Sequence, residues 1–336
     1  MESKWGWSFF CLCYPCVVQR LIILFVLLAT CAFGSEGFAL DGSKQTVSAP
    51  AGAVDPVQQE YQKLLDEDNA AQSDVDDWIL ENDKFAARGA SIPPADMKQK
   101  IHKRFAPVRK GYEDFLARHP EHVKARIAYG SFLGDVHDED GAREQLEKAL
   151  AFETNNPAVY NNLANIYGHT GPVRKAFEFY SRAIDLSPRE PVYLQNYATT
   201  VYLFRKDAAE VYGLTEQQVF NKALGLYRRA LDLDPTNFPL ASDLAQTYYG
   251  IEPRRTDEAL VAWTNAFKLA RDSVEREGVH LHFARLKIAA RRFQETRAHI
   301  GSVTNSLYDD LKVRLERNLK EQEAKVALER KESASQ

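Results

Sequence analysis

Pro157-Ala-Val-Tyr160-Asn-Asn-Leu163-Ala164-Asn-Ile-Tyr167-Gly-His-Thr-Gly171-Pro-Val-Arg-Lys-Ala176-Phe-Glu-Phe-Tyr180-Ser-Arg-Ala183-Ile-Asp-Leu186-Ser-Pro188 carries two apolar stripes, divided at Gly171-Pro. Tyr160, Leu163, Ala164 and Tyr167 stand at i, i+3, i+4 and i+7, and so do Ala176, Phe179, Tyr180 and Ala183. Each set lines one face of a helix. The stretch also recurs. Gly130, Ala142, Ala149 and Thr154 return 34 residues later as Ala164, Ala176, Ala183 and Pro188. Stepping back by 34 from Ala142, Leu146, Ala149 and Thr154 gives Val108, Tyr112, Phe115 and Pro120. Going forward, Ala223/Ala230 follow Ala176/Ala183 after 47 residues, so that unit has 13 extra, and Ala259/Ala266 and Thr296/Val303 follow at 36 and 37. No Val/Ile-rich stretch alternates with period two, so the chain is expected to be all-helical.

The physical logic is that of a stacked array. Small residues at Gly130, Ala164, Ala198, Ala245 and Ala284 let paired helices approach closely. Tyr160, Tyr167 and Tyr180 fill what they open, and Pro188 and Pro235 stop helix ends. One such unit cannot bury its own face, so neighbours must supply the core. On these residues the stretch 157–188 resembles the tetratricopeptide repeat (TPR). Tyr160 stands at the family's Trp, Leu163-Ala164 at its Leu-Gly/Ala pair, Tyr167 at its Tyr, Ala176 and Ala183 at its alanines, Tyr180 at its aromatic and Pro188 at its proline. The resemblance covers roughly residues 90–305 and implies a right-handed α-α superhelix of about five units with extra helices at both ends. The expected organisation is a degenerate repeat at 90–122, then repeats at 123–156, 157–190, 191–237 and 238–276, and a degenerate one at 277–305.

The longer unit carries its insert at 202–218. Gly213 breaks what precedes it, and Thr215 with Gln218 forms a capping box opening a helix that carries Phe220, Ala223, Leu224, Tyr227 and Ala230. Apolar Phe204, Tyr212 and Leu214 mark the insert as a packing or partner surface. Before the repeats, an N-terminal cap at 56–89 reads as two helices, Pro56–Asp68 and Asp74–Arg88, the second opened by Ser73. Residues 55–86 hold ten acids and two bases, and residues 98–126 nine bases and three acids, so the two segments are complementary in charge. At the other end, 306–336 reads as a charged amphipathic helix with Leu307, Leu311, Leu315 and Leu319 at i+4 spacing, suited to closing the array.

The apolar run 21–33 follows Arg20 and ends in Ala32-Phe33-Gly34, the pattern of a signal peptide (1–34) cleaved between Gly34 and Ser35, with a flexible linker at 35–55. Thirteen residues rise about 20 Å as a helix, short of a ~30 Å hydrocarbon core, so no membrane span is expected after cleavage. A lipidated Cys31 is the minor alternative. All four cysteines precede Gly34, which suits an oxidising compartment without disulfides. An exported protein is expected, periplasmic, cell-surface or secreted, with a bacterial envelope favoured.

With 43 Lys+Arg against 47 Asp+Glu, the net charge of −4 lacks the basic excess that nucleic-acid binding needs. No nucleophile elbow, phosphate loop or metal-ligand spacing is found, so no catalytic residue, cofactor or metal is expected. Asp135-Val-His137-Asp138-Glu139-Asp140 reads as a solvated turn, without glycine at the sixth place of a calcium loop. His280 and His282, two apart, belong to different helix faces. The informative stripe is polar. TPR arrays line their concave groove with the first helix of each unit, which here holds Asn161, Asn162, Asn165, Gln195, Asn196, Thr199, Ser242, Asp243 and Gln246. Amides both donate and accept, so such a ladder can pair with the backbone of an extended peptide, as the asparagine ladder of similar superhelices implies. The carboxylate-clamp alternative wants cations where Ile127, Asn161 and Val192 stand. The expected function is a non-catalytic scaffold binding a protein or peptide in the groove. The alternative is an accessory subunit of an envelope enzyme or assembly complex, docked through the insert and outer surface.

Overall fold

The computed structural model describes residues 55–86 and 92–334. Among the described residues the chain is all-α, with fourteen α-helices, two short 3-10 turns and no strand. The signal-peptide reading, Gly34, Ser35 and the linker up to residue 54 lie outside the described residues. The helices divide into two compact units, one ending at Leu186 and the next starting at Ser187.

The first unit contains α1 (Pro56–Ala86), α2 (Pro94–Arg118), α3 (Val123–Asp135), α4 (Glu139–Phe152), α5 (Pro157–Thr170) and α6 (Val173–Leu186). They pack as successive hairpins: α1 on α2, α3 on α4, α5 on α6. The two N-terminal helices expected from Ser73 are one continuous helix. The capping signal loses because Ala71 and Val75 are both buried, so helical phase must be kept through Ser73, which faces solvent. Arg104 of α2 also spans the expected break, donating to Glu67 at 2.6 Å and to Asp74 at 2.7 Å. The charge complementarity of the two segments is realised in these pairs and in the Arg118–Glu60 ion pair, and the neutral Tyr112 hydroxyl adds a hydrogen bond to Asp68 at 2.6 Å.

The small positions do what their size requires. A Cβ on Gly130 of α3 would sit 2.9 Å from Leu146 Cγ of α4, closer than side chains pack. In the α5/α6 hairpin Ala164, Ala176 and Ala183 are fully buried beside Phe177 and Tyr180. Burying each such aromatic contributes about 1.5–3 kcal/mol. Helix starts are fixed locally: Asn156 accepts from Ala158 N at 3.0 Å ahead of Pro157, and Asp138 accepts from Gly141 N at 3.1 Å. Asp138 also pairs with Arg109 at 2.9 Å, which holds its carboxyl below the ordinary range.

The second unit contains α7 (Pro191–Leu203), α8 (Arg205–Tyr212), α9 (Glu216–Leu233), α10 (Phe238–Thr247), α11 (Thr256–Leu269), α12 (Ser273–Ala289), α13 (Phe293–Gly301) and α14 (Asp309–Ala334). Here α7 pairs with α9, α10 with α11 and α12 with α13. The extra residues form α8, closed by Gly213 at φ 62°, where a side chain would be strained, and followed by the Thr215/Gln218 capping box. The five apolar residues expected on α9 are all buried. At the C-terminus, Leu315 and Leu319 of α14 close a cluster with Leu281, Ala284, Ile288, Ile300 and Val303, and Leu311 packs against it. Leu307 departs from the expected stripe. It sits on the 3-10 turn Ser306–Tyr308, 59% exposed, because α14 starts only at Asp309.

Candidate peptide-binding face

The polar candidates stand on α5 in the first unit and on α7 and α10 in the second. Apolar neighbours orient these helices: on α5, Leu163, Ala164 and Tyr167 turn inward and leave Asn162 and Asn165 half-buried. In the first unit the amides are joined to one another. Asn161, 3% exposed, donates to Asn162 Oδ1 at 3.2 Å, and Asn162 Nδ2 donates to Ser131 Oγ of α3 at 3.3 Å. Asn165 Oδ1 accepts from the Tyr180 hydroxyl at 2.5 Å. The ladder therefore ties α3, α5 and α6 together while keeping spare lone pairs and N–H groups.

In the second unit Gln195 of α7 donates to Asp243 of α10 at 2.8 Å. Burial pushes the Asp243 carboxyl up to about 6, and the bond from Gln195 opposes this. Thr199 Oγ1 lies 2.7 Å from the Tyr227 hydroxyl and donates to Gln195 O at 3.0 Å. Asn196 is half-buried beside them. Gln246 is half-buried on α10, and its amide makes no side-chain hydrogen bond among the described residues. Ser242 Oγ is buried with no hydrogen-bond partner among the described residues.

One residue of this stripe escaped the sequence reading. Asn162, Asn196 and Asp243 each precede a small core alanine by two positions, and His282 stands in the same relation to Ala284. Its ring lies flat on Trp263, with centroids 3.8 Å apart, and its Nδ1 is 2.9 Å from the Tyr249 hydroxyl. Burial pushes this imidazole down to about 3. The offset from Ala284 was the available signal.

The insert residues are turned toward their own unit. Phe204, Tyr212 and Leu214 are half-buried, Ala208 is fully buried, and the Tyr212 and Tyr197 hydroxyls meet at 2.5 Å. Tyr202 packs on Phe220 with centroids 6.1 Å apart. What the insert shows to solvent is Leu203, 54% exposed, and the charged side of α8.

No protein-family model matches the chain. It is 30% identical over 170 residues to the Photosystem I assembly protein Ycf3 of Cyanophora paradoxa, covering 49% of this chain and 91% of that one. It is 32% identical over 82 residues to the Photosystem I assembly protein Ycf3 of Rippkaea orientalis (strain PCC 8801 / RF-1), where the match covers 24% of this chain and 47% of the relative, about half its length. Among solved structures, that of TTC0263, a thermophilic TPR protein in Thermus thermophilus, aligns over 59% of this chain and 98% of its own, at 20% identity and a TM-score of 0.43. With small residues buried where the helices of each hairpin meet, and a Ycf3 relative matched over nearly its whole length, the chain belongs to the tetratricopeptide-repeat family.

Proposed function

We propose that this chain is a non-catalytic protein-interaction scaffold that binds an extended segment of a partner along the polar faces of its first helices. The observation that carries the reading is the set of inward-placed amides with unused capacity. Among the described residues Gln246 keeps its whole amide, and Asn162 retains a donor and a lone pair beyond its bonds to Asn161 and Ser131. Peptide backbone offers matching groups at every residue. The alternative is an assembly subunit that holds a client through the outer surface near Leu203, in keeping with its similarity to Photosystem I assembly proteins. Export stays part of the proposal, on the strength of residues 21–35 alone. No helix among the described residues is long and apolar enough to cross a membrane.

Site-specific photocrosslinking in the full chain separates the two readings. A crosslinker replacing Gln246 or Asn196 should capture the same partner, and one at outward Val261 should capture none. Capture from Leu203 with nothing from Gln246 would overturn the groove reading in favour of the outer surface.

A further inference from the structure

His280 of α12 and His299 of α13 meet with their Nδ1 atoms 2.9 Å apart and ring centroids 5.2 Å apart. Two nitrogens at this distance need one proton between them, so one ring donates from Nδ1 and the other accepts with its Nδ1 lone pair. With both rings neutral the acceptor carries its own proton on Nε2, and one added proton, on Nε2 of the donor ring, leaves the bond in place. A second added proton makes both rings imidazolium, puts N–H against N–H and destroys it. The surroundings penalise charge. Phe267 of α11 lies 5.1 Å from His280 and Phe283 of α12 lies 5.1 Å from His299. Lys287 of α12 and Arg292, just before α13, add positive potential, and both are held by Glu295, at 2.7 and 2.6 Å. Glu277 of α12, the nearby acid, accepts from Thr304 N at 2.8 Å and Asn305 N at 2.7 Å. On α14, Lys312 donates to Val303 O, and Glu323 and Glu329 pair with Arg297 and Arg291.

We propose that the His280–His299 contact is an acid-sensitive latch that holds α13 on α12 near neutral pH and releases α13 when both imidazoles become charged. Release would reach further. Ile300, near the end of α13, and Val303, just beyond it, form part of the seat for Leu315 and Leu319, so loosening α13 also frees α14 and exposes that apolar cluster. The direction of titration agrees. Burial lowers His280, and burial with Lys287 and His280 lowers His299 to about 4. Groups depressed below their unfolded value of about 6.5 stabilise the fold fully above that pH, and the contribution is lost as pH falls toward 4.

The test is hydrogen exchange of the full chain at pH 7.0 and 4.5, corrected for intrinsic rates, beside a His280→Asn/His299→Asn variant whose amides bond without titrating. In the wild type, peptides from 293–334 should lose at least tenfold protection at pH 4.5 while those of α9 and α10 hold. The double variant should keep its protection. It retains His282, so an equal loss in the variant would assign the effect elsewhere and overturn the latch. Should the variant fail to fold, NMR titration of the wild-type imidazoles decides: two linked steps below the ordinary histidine range support the latch, and independent titrations near 6.5 reject it.

Discussion

Gly250, in the 3-10 turn after α10, is backed closely by a side chain, where Gly213, Gly225 and Gly301 have open space. A Cβ built there falls 2.0 Å from the Tyr202 hydroxyl and 3.0 Å from its ring carbon Cζ. No positive φ is involved, so alanine is acceptable to the backbone and the cost is the collision. Tyr202 is buried against Phe220 and cannot swing clear without repacking. Overpacking costs about 1–3 kcal/mol. A less flexible unfolded chain returns about 0.4–1 kcal/mol. Gly250→Ala is therefore expected to destabilise the second unit by about 1 kcal/mol, and by no more than about 2.5 kcal/mol. The measurement is urea denaturation followed by fluorescence of Trp263, in a double-mutant cycle with Tyr202→Phe. Removing the hydroxyl takes away the worst contact, so the double variant should be more stable than the sum of the single effects predicts by about 1 kcal/mol or more. Strict additivity would refute the argument, because the two residues would then not be in conflict.

Ala164→Leu and Ala183→Leu should each lower stability by about 1–3 kcal/mol, since both side chains are fully enclosed; unchanged melting midpoints for both would reject the repeat register. Asp243→Asn keeps an oxygen for Gln195 and removes a carboxyl whose folded pKa is raised to about 6. A raised acid stabilises below its unfolded pKa near 3.9 and loses this as pH rises through 6, so the variant's urea midpoint should exceed wild type at pH 7 and approach it at pH 4.5. A lower midpoint at both values would count against that sign. Intact-mass analysis of protein from its native compartment should give a chain starting at or near Ser35, and a retained Met1 would defeat the export proposal.

The sequence by itself determined the helical hairpins and their seams. Period and helical spacing are local properties of the chain, so Ala164, Ala198, Ala245 and Ala284 could be placed in the core without coordinates, and all four are fully buried. The Thr215/Gln218 box and the Gly213 break were legible for the same reason, since caps involve residues three or four apart. Tertiary structure decided everything that depends on a distant partner. Ser73 carried a valid local capping signal for a new helix, and burial of Ala71 and Val75 with the Arg104 bridge overrode it. Periodicity shows which way a helix face points but not what meets it. Only packing could therefore show that Gln195 reaches Asp243 across 48 positions and that the insert folds back through Tyr212 onto Tyr197. His280 and His282 were rightly assigned to different faces, yet their partners, His299 and Trp263, are fixed by how α12 lies against α13 and α11. Such contacts join residues that are remote in sequence, and their geometry exists only once the helices have stacked.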